Sequence, residues 1–587
     1  MNRENIWRYT FLGYVLSIIP IIIAVQLLRI QTDKEQIKYF NNKRDQFAGY
    51  FHTIQPARGL IYDRYGHLLA GNEKVYEVGV ELWNVRNSET IAMAMDMITD
   101  ADYDEVLSAA SIEPSENAVY AVLANNVTQE QVDQLEILNE QIKLTYANSR
   151  DPKAPSLRGL IFHPLLRRTY PENRTGSNIV GFVGHEGQGF YGVEAYYNEM
   201  LAGKSEVVWM STDPNRVEGL PEIPAGVSLV LTIDREIQIA MEKIVDRSMK
   251  VNGAESATIL IMDPKTGEIM AMASTPRLNL NEYWRYAEIF TDSTPFNRAI
   301  SQAYETGSVF KVLSLLTGLD TGAIEPETEF IDTGMIEIGG TKIYNWNYGA
   351  WGPQDMTGCM QHSLNVCLAW IGQQIGAKDF YDYMGRFGIG KRTGIDMAGE
   401  ARGRLKVPGD DDWYEADLGT NSFGQGVSST PLQMVSAISA AANNGKVMAP
   451  HIVRSMISSG HQHDIGNHVI AIPISAETAR TATEMLAVSL EVEASDALVT
   501  GYRVAGKTGT GEIPTPYGYT SNLTNASFVG WGPVDDPRFV VYVWLEKPTS
   551  SIWGSEVAAP IFAEVVEELV VLMKLPPDDI RQSLLGQ

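Results

Sequence analysis

Ser308 and Lys311 have the types and spacing needed for serine chemistry. They are three residues apart, after Gly307 and before the apolar run from Val312 to Leu316. This pattern predicts a loop entering a buried helix, on which side chains three apart share a face. A serine becomes a nucleophile when a base takes its proton, and a lysine serves as that base when burial or a nearby cation lowers its pKa. The pair alone is weak evidence, because a capping serine followed by a surface lysine has the same spacing.

A second pair of polar side chains, Ser363 and Asn365, lies on either side of Leu364. The surrounding stretch has a helical pattern. A hydroxyl and an amide two residues apart both face a cleft where a helix ends or a loop turns. This pair is common by itself, and its value comes from its position after Ser308 and Lys311.

The third group is Lys507-Thr508-Gly509-Thr510, which follows a strand-like segment. On a strand, alternate side chains share a face, so Lys507 and Gly509 are expected to face one way and Thr508 and Thr510 the other. Gly509 is expected to leave room for a substrate backbone to lie alongside as an added strand. Three such groups in this order indicate serine acyl-transfer chemistry.

Composition limits the possible functions. The chain has 587 residues, which predicts two or three domains, and its hydrophobic fraction of 44% excludes global disorder. Its 46 basic and 72 acidic side chains give a net charge of −26, which argues against a nucleic-acid partner. The two cysteines, Cys359 and Cys367, lie eight residues apart in a helix-like stretch. Eight residues advance a helix by about 12 Å, beyond the reach of a disulfide, so we predict two buried thiols.

An uncharged segment from Tyr9 to Leu28 is long enough to cross a bilayer. A cleaved signal peptide is the alternative, but the apolar run is long and lacks an Ala-x-Ala-like cleavage site. We therefore predict a tail over residues 1–8, an uncleaved anchor over residues 9–29 and a polar helical stalk after it. Basic residues lie on both sides of the segment, so the positive-inside count leaves its orientation open.

Prolines and a glycine near residue 222 predict a domain boundary there. Beyond it, the pattern mixes hairpins and helices. The predicted elements are a strand over Leu229–Ile233, a helix over Asp234–Lys250 capped by Asp234, a hairpin of Thr258–Met262 and Ile269–Ala273, a strand over Val540–Leu545 and a helix over Val557–Lys574. This order favours an antiparallel sheet covered by helices, which is an α+β domain.

Several other conspicuous groups are assigned structural roles. The charges from Arg58 to Arg64, followed by Gly66, predict a buried ion pair and a turn between two strands. The histidines between His461 and His468 predict a solvated hairpin tip rather than a metal site, since they lack ordered ligand spacing. The aromatic residues between Tyr344 and Tyr348 are assigned to core packing, with lining of the cleft as the alternative.

The three polar groups in this order resemble the motifs of the class B penicillin-binding proteins, which are membrane-anchored peptidoglycan D,D-transpeptidases of bacteria. The resemblance covers nearly the whole chain. It is also carried by Arg58-Gly59, Asp63-Arg64, Gly192-Val193-Glu194, Leu231-Thr232-Ile233-Asp234, Phe423-Gly424-Gln425-Gly426 and Ala526-Ser527-Phe528-Val529-Gly530. We see no glycosyltransferase-like segment before these marks, so we expect class B rather than the bifunctional class A.

The resemblance implies an α+β architecture in three parts. These are an N-terminal transmembrane helix, an elongated β-rich pedestal over residues 30–222 and a transpeptidase domain over residues 223–587, in which helices cover an antiparallel sheet. It implies a single-pass protein of the bacterial cytoplasmic membrane with its catalytic domain outside the cytoplasm. It implies no cofactor and no metal, and it suggests a glycosyltransferase of the SEDS family as a membrane partner.

By resemblance, the substrate is a peptidoglycan stem peptide ending in D-Ala-D-Ala, and β-lactams acylate the same serine. Ser308 attacks the penultimate D-Ala carbonyl and Lys311 takes the hydroxyl proton. Ser363 relays a proton to the leaving amine, and Asn365 orients Lys311 and the substrate amide.

The Lys507 group is expected to bind the end of the substrate. Lys507 supplies positive potential near the terminal carboxylate, and Thr510 and Thr508 donate hydrogen bonds to it. The backbone N–H groups of Ser308 and Thr510 form the expected oxyanion hole.

Two positions depart from the family's usual pattern. Thr306 stands where proline is common, and Leu364 where division enzymes often have serine. Asn365 fits the division type better, so we favour division slightly over elongation. Two other functions stay open, namely a non-catalytic scaffold of the division or elongation machinery and a β-lactam sensor or hydrolase.

Overall fold

The computed structural model of the chain describes residues 6–47, 49–147, 149, 151, 153–211, 223–515 and 518–585. The chain forms two compact units. One consists of residues 1–57 and 203–225, and the other of residues 58–202 and 226–587.

The first unit contains the predicted apolar helix. It runs from Ile6 to Thr32, and its section Trp7–Arg29 has a mean hydropathy of 2.4 and exposed side chains. A helix of this length spans about 34 Å, which is enough to cross the hydrocarbon core of a bilayer. Its bounds contain the predicted anchor.

The polar segment after this helix forms one further helix and a strand. The helix is Lys34–Phe47. The strand, Gly49–Ile54, pairs antiparallel with Glu206–Ser211. The predicted helical stalk therefore ends at Phe47 and is followed by a short two-stranded sheet.

The second unit begins with a sheet built from distant parts of the chain. Ile61–Tyr62 and Leu68–Glu81 form the hairpin that was predicted around Gly66. The longer strand also pairs with Tyr120–Thr128 and Leu160–Thr169. Three helices surround a core on this sheet; they are Ser88–Thr99, Tyr103–Ala110 and Gln129–Thr145.

The same sheet continues into the C-terminal part of the chain. Ile61–Tyr62 pairs in parallel with Ser228–Leu231, which pairs antiparallel with Val453–Ser458. Backbone hydrogen bonds therefore join the pedestal segment directly to the C-terminal segment within this unit.

A buried carboxylate further links segments of the pedestal. Glu194 is fully buried and accepts hydrogen bonds from Arg58 Nε at 2.8 Å and Arg168 Nε at 2.8 Å. Nearby in sequence, Arg64 pairs with Glu268 at 3.0 Å. The structural role predicted for the Arg58–Arg64 charges is confirmed.

We predict that Glu194→Gln destabilises the protein by roughly 3 to 5 kcal/mol, because two largely buried guanidinium groups lose their counter-ion. Denaturation in urea measures the change. Glu73→Gln is the matched control, since Glu73 pairs with Arg167 but both side chains are about half exposed. Its expected effect is about 0 to 1 kcal/mol. Equal shifts of the two urea midpoints would contradict the prediction.

The sheet that carries the third polar group has five antiparallel strands. Their order is Ile269–Ser274, Ser256–Met262, Phe539–Glu546, Gly518–Gly532 and Ala505–Thr515. Alternate side chains of the central strands enter two different cores, so both faces are covered. Helices Arg235–Asn252 and Gly554–Leu572 pack on one face, and Lys311–Asp320, Pro431–Ala442 and Ala476–Glu493 lie on the other. The predicted α+β arrangement is confirmed.

Several predicted elements agree closely with this sheet. The hairpin, the strand around Val540 and the long C-terminal helix all form. Asp234 caps its helix by accepting hydrogen bonds from Glu236 N at 3.0 Å and Ile237 N at 3.2 Å. The C-terminal helix ends at Leu572, and a further short helix, Asp578–Leu585, follows.

The prediction of two free thiols is wrong. Cys359 lies in the helix Met356–Gln361 and Cys367 in the helix Asn365–Ile375, and the two form a disulfide with a Cα–Cα distance of 6.1 Å. The prediction assumed one continuous helix across both cysteines. The chain instead turns at Ser363, whose φ is 52°, and this reversal brings the two short helices together.

We expect intact-mass analysis without reductant to show the Cys359–Cys367 cross-link, which protects both thiols from alkylation. Cys359→Ala with Cys367→Ala is expected to lower stability by about 2 to 4 kcal/mol. The measurement is thermal denaturation of the double variant beside the parent. Alkylation of both cysteines in the unreduced, unfolded parent would contradict the assignment.

The histidine segment also differs from its prediction. The hairpin turns at Ser459 and Gly460, and His461–Asp464 forms its second, exposed strand, paired with Val453–Ser458. The histidines therefore lie beside the tip rather than on it. Across the described part of the chain, no group of three or more His, Cys, Asp or Glu side chains is arranged to hold a metal ion.

Candidate active site

Ser308 lies on a 3₁₀ turn, Gly307–Phe310, which leads directly into the helix Lys311–Asp320. Its side chain is partly exposed, whereas those of Val309 and Phe310 are fully buried. A 3₁₀ turn places residues three apart on one face, so Ser308 and Lys311 face the same side. The predicted loop entering a buried helix is confirmed, with the serine on the turn rather than inside the helix.

The Lys311 side chain is fully buried and joins the first two polar groups. Its Nζ donates to the Ser363 carbonyl oxygen at 2.6 Å, to Ser363 Oγ at 3.1 Å and to Asn365 Oδ1 at 2.8 Å. Burial lowers the pKa of Lys311 well below its ordinary value, and the charge of Lys507 lowers it further. A lysine whose pKa is lowered loses its own proton more readily and can then accept one from a neighbouring hydroxyl.

Ser363 occupies a turn rather than the interior of a helix. Gln361 ends one helix and Asn365 begins the next, so His362, Ser363 and Leu364 form the connection. The Ser363 carbonyl is therefore free of helical hydrogen bonding and accepts from Lys311. The predicted helical stretch forms as two short helices, and the pair lies where one helix ends and the chain turns, as the sequence allowed.

Lys507 lies on the strand Ala505–Thr515 and is also fully buried. Its ammonium pairs with the carboxylate of Glu493, which is the last residue of the helix Ala476–Glu493. Burial lowers the pKa of Lys507, and the adjacent carboxylate opposes that shift. The sequence analysis did not find Glu493. Glu493 ends its helix, where the helix dipole disfavours negative charge, and no motif in the sequence links it to Lys507.

The two threonines of the third group have different partners. Thr508 Oγ1 donates to the same Glu493 oxygen that pairs with Lys507. Thr510 Oγ1 accepts from Gly554 N at 3.1 Å, which leaves its own O–H free to donate elsewhere. The expected strand alternation does not separate Lys507 from Thr508, because the long lysine side chain reaches the same carboxylate.

Gly509 is packed closely where its side chain would lie, and its predicted role beside a substrate strand stays a prediction. A Cβ at Gly509 would overlap Ser527 Oγ and would lie 2.9 Å from Val309 Cγ1 and 3.0 Å from the Thr306 carbonyl oxygen. The missing side chain therefore makes room for the Ser308 turn and the neighbouring strand.

A second glycine allows the same close approach from the other side. Gly307 has φ of 57°, and a Cβ there would lie 2.5 Å from the Thr510 carbonyl oxygen. Ser308 and Thr510 are thereby brought to adjacent positions, one on a turn and the other on a sheet edge.

The aromatic residues between Tyr344 and Tyr348 do not pack in the core as predicted. Tyr348 is 79% exposed, and Trp346 is 48% exposed. Trp346 lies against Trp553 and donates its Nε1–H to the His362 carbonyl oxygen at 3.3 Å. These rings therefore stand beside the Ser363 turn and next to Gly554, at the mouth of the site.

The arrangement supports nucleophilic acyl transfer. A partly exposed hydroxyl precedes a buried amine whose pKa is lowered, and a second hydroxyl contacts that amine. A second ammonium and an available threonine O–H lie on the neighbouring strand. These groups have the chemistry required of the predicted nucleophile, base, proton relay and carboxylate-binding pair.

Comparison with protein families agrees with this geometry. A family model described as the penicillin binding protein transpeptidase domain matches residues 257–567, which is more than half of the chain. A second, described as the penicillin-binding protein dimerisation domain, matches residues 53–219. The chain belongs to the class B penicillin-binding proteins.

Curated relatives extend over most of this penicillin-binding protein. Stage V sporulation protein D of Bacillus subtilis (strain 168) is 30% identical over 547 residues, covering 89% of this chain and 79% of that protein. Peptidoglycan D,D-transpeptidase FtsI of Escherichia coli (strain K12) is 25% identical over 591 residues, covering 97% of this chain and 93% of that protein.

Solved structures share the fold. Penicillin binding protein 3 of Mycobacterium tuberculosis, complexed with aztreonam, superposes with a TM-score of 0.68 at 23% identity, covering 90% of this chain and 98% of that one. Penicillin binding protein 2X of Streptococcus thermophilus gives a TM-score of 0.74 at 21% identity, covering 89% and 80%.

These matches confirm the predicted family, the α+β fold and the enzyme class of a transpeptidase. Both matched segments lie inside the predicted domains, whose limits at residues 30, 222 and 223 stay predictions. The roles of the individual site residues also stay predictions.

We predict that Lys311→Arg lowers the rate of acylation by a fluorescent penicillin by a factor of about 10² to 10⁴. A guanidinium keeps its charge at every accessible pH, so it cannot take the serine proton. In the parent, the rate should rise with pH as Lys311 loses its proton, starting well below the ordinary pKa of lysine. Lys378→Arg is the control, since the Lys378 side chain is 95% exposed. A Lys311→Arg variant that keeps the parent's rate would contradict this role.

Proposed function

We propose that this protein is a peptidoglycan D,D-transpeptidase that cross-links stem peptides through an acyl-enzyme on Ser308. The observation that carries the proposal is the buried Lys311 amine, which contacts both Ser363 and Asn365 directly behind the Ser308 turn. Membership of the penicillin-binding protein family and the peptidoglycan D,D-transpeptidase function for which relatives such as FtsI are named support the substrate class.

In the first half of the reaction, Ser308 Oγ attacks the carbonyl carbon of the penultimate D-Ala. Lys311 Nζ takes the hydroxyl proton as the new C–O bond forms. The C–N bond to the terminal D-Ala then breaks, and Ser363 passes a proton to the leaving nitrogen. Asn365 holds Lys311 in place through the hydrogen bond of 2.8 Å.

The terminal carboxylate of the stem peptide binds at the Lys507 strand. The Lys507 ammonium supplies the positive charge, and the Thr510 hydroxyl donates a hydrogen bond, because its acceptor side already takes Gly554 N. Thr508 acts through Glu493 rather than directly on the substrate, since its O–H is donated to that carboxylate. Gly509 serves to keep the strand close to the Ser308 turn.

The developing oxyanion is stabilised by the backbone N–H groups of Ser308 and Thr510, which the two glycine contacts bring to neighbouring positions. Each such donor contributes roughly 3 to 4 kcal/mol to transition-state stabilisation. In the second half, an amine of another stem peptide attacks the acyl-enzyme and forms the cross-link. A β-lactam acylates the same serine, because its strained amide takes the place of the D-Ala-D-Ala bond.

The protein is proposed to be a single-pass protein of the bacterial cytoplasmic membrane, anchored by the helix Ile6–Thr32. The catalytic domain is placed outside the cytoplasm, where the Cys359–Cys367 disulfide would persist. A glycosyltransferase of the SEDS family is proposed as its membrane partner, on the resemblance to class B enzymes. The subclass proposed is the division type, on the strength of Asn365.

The test is covalent labelling of the full-length protein in detergent with fluorescent penicillin. We expect a stable labelled band in the parent and none in Ser308→Ala, because the acyl bond forms on that hydroxyl. Ser293→Ala, at an exposed serine, should label like the parent. Release of D-Ala from a pentapeptide and its transfer to an added amine then measure the reaction itself.

The alternative functions give different results in the same assay. A protein that only acts as a scaffold would not label at all. A β-lactam hydrolase would label and then lose the penicilloyl group within minutes. Labelling of Ser308→Ala equal to that of the parent would overturn the assignment of the nucleophile.

A further inference from the structure

Glu493 is a buried carboxylate within the site that the proposed reaction does not use. It is the last residue of the helix Ala476–Glu493, and its side chain is only 7% exposed. One of its oxygens, Oε1, contacts both the Lys507 ammonium and the Thr508 hydroxyl. A single atom therefore ties together two members of the third polar group.

This position is unfavourable for a carboxylate on local grounds. The C-terminal end of a helix carries partial negative charge, which repels an anion, and the last turn of this helix contains no basic residue. The second oxygen, Oε2, is buried and has no hydrogen-bond partner within the described residues. Burying an oxygen without a hydrogen-bond partner costs stability, so this side chain does not stabilise its own helix. The contacts of Oε1 with Lys507 and Thr508 offset that cost.

The charge of Glu493 acts on three titratable groups from three different segments. Lys507 lies on the strand, Lys311 on the helix Lys311–Asp320, and His362 just before the Ser363 turn. For each of them, burial lowers the pKa and the Glu493 carboxylate opposes that change. Lys507 in turn lowers the pKa of Lys311. The Glu493 carboxylate therefore raises the pKa of all three groups against the larger effect of burial.

We propose that Glu493 is a positioning residue for the transpeptidase reaction. Its carboxylate holds the buried Lys507 side chain charged and in place, and it accepts the hydrogen bond of the Thr508 hydroxyl, so that the substrate carboxylate is bound by Lys507 and Thr510. The inference rests on the roles proposed above for Lys507 and Lys311.

The proposal leads to a specific pH dependence. The acidic limb of the acylation profile reports loss of the Lys311 proton, and the alkaline limb reports loss of the Lys507 proton. Without the Glu493 charge, the pKa values of both lysines fall. Both limbs therefore move to lower pH, and the alkaline limb moves by about one to three units, the usual effect of an opposite charge at close range.

The experiment measures the second-order rate of acylation of the full-length protein by a penicillin from pH 5 to pH 10. The variant is Glu493→Gln, which keeps the shape and removes the charge. The penicillin is compared with its methyl ester, which lacks the carboxylate. We expect the preference of the parent for the free acid over the ester to shrink about tenfold or more in Glu493→Gln at alkaline pH, because a charge-assisted hydrogen bond is lost.

Two further variants separate charge from shape. Glu491→Gln removes an exposed glutamate from the same helix and should leave both limbs and the ester preference unchanged. Glu493→Asp keeps the charge, so both limbs of its pH profile should stay close to those of the parent, while its rate of acylation falls. Melting curves report whether each variant folds.

The outcomes are distinguishable. Absence of acylation in the parent would overturn the proposed function itself. A parent that acylates, with Glu493→Gln showing unchanged limbs and an unchanged ester preference, would overturn only the role of Glu493. Failure of both Glu493 variants to fold would make Glu493 a folding residue and would also overturn the proposal.

Discussion

The rest of the site depends on the burial of the Lys311 amine. A buried cation costs several kcal/mol unless acceptors surround it. Here a carbonyl and a hydroxyl of one residue, together with an amide oxygen of another, surround a side chain that has no exposed surface. A helix interior could not supply that carbonyl, because its own N–H groups would use it. The turn between Gln361 and Asn365 is therefore a requirement of the lysine, and the disulfide across this turn ties its two helices together.

The second buried lysine is held in a different way. Lys507 has a carboxylate partner, whereas Lys311 has neutral ones. That difference suits their separate tasks, because a base must release its charge and a carboxylate-binding cation must keep it. The two lysines lie on different elements, which glycine contacts hold close together. The absence of side chains at Gly307 and Gly509 allows the Ser308 turn to lie directly against the sheet edge. The two glycines that allow this close packing therefore also set the distance between Ser308 and the strand of Lys507 and Thr510.

The incorrect predictions have a common cause. The cysteines were assigned to one continuous helix, and they lie on either side of the Ser363 turn, where the structure departs from that regularity. Counting about 1.5 Å per residue along a single helix placed the two thiols too far apart for a disulfide. The aromatic residues near Trp346 were assigned to the core by composition, although they stand exposed beside the Ser363 turn.

The sequence by itself determined the order of the three polar groups, the apolar N-terminal helix and the α+β class, and it singled out Ser308 and Lys311 as the predicted nucleophile and base. These follow from short-range spacing and from hydrophobic periodicity, which are properties of neighbouring residues. Only the tertiary structure decided the disulfide, the packing role of Gly509, and the pairing of Lys507 with Glu493. Each of these joins segments that local pattern treats as independent. Whether a buried charge finds a partner depends on which distant element is packed against it, and no local spacing encodes that choice.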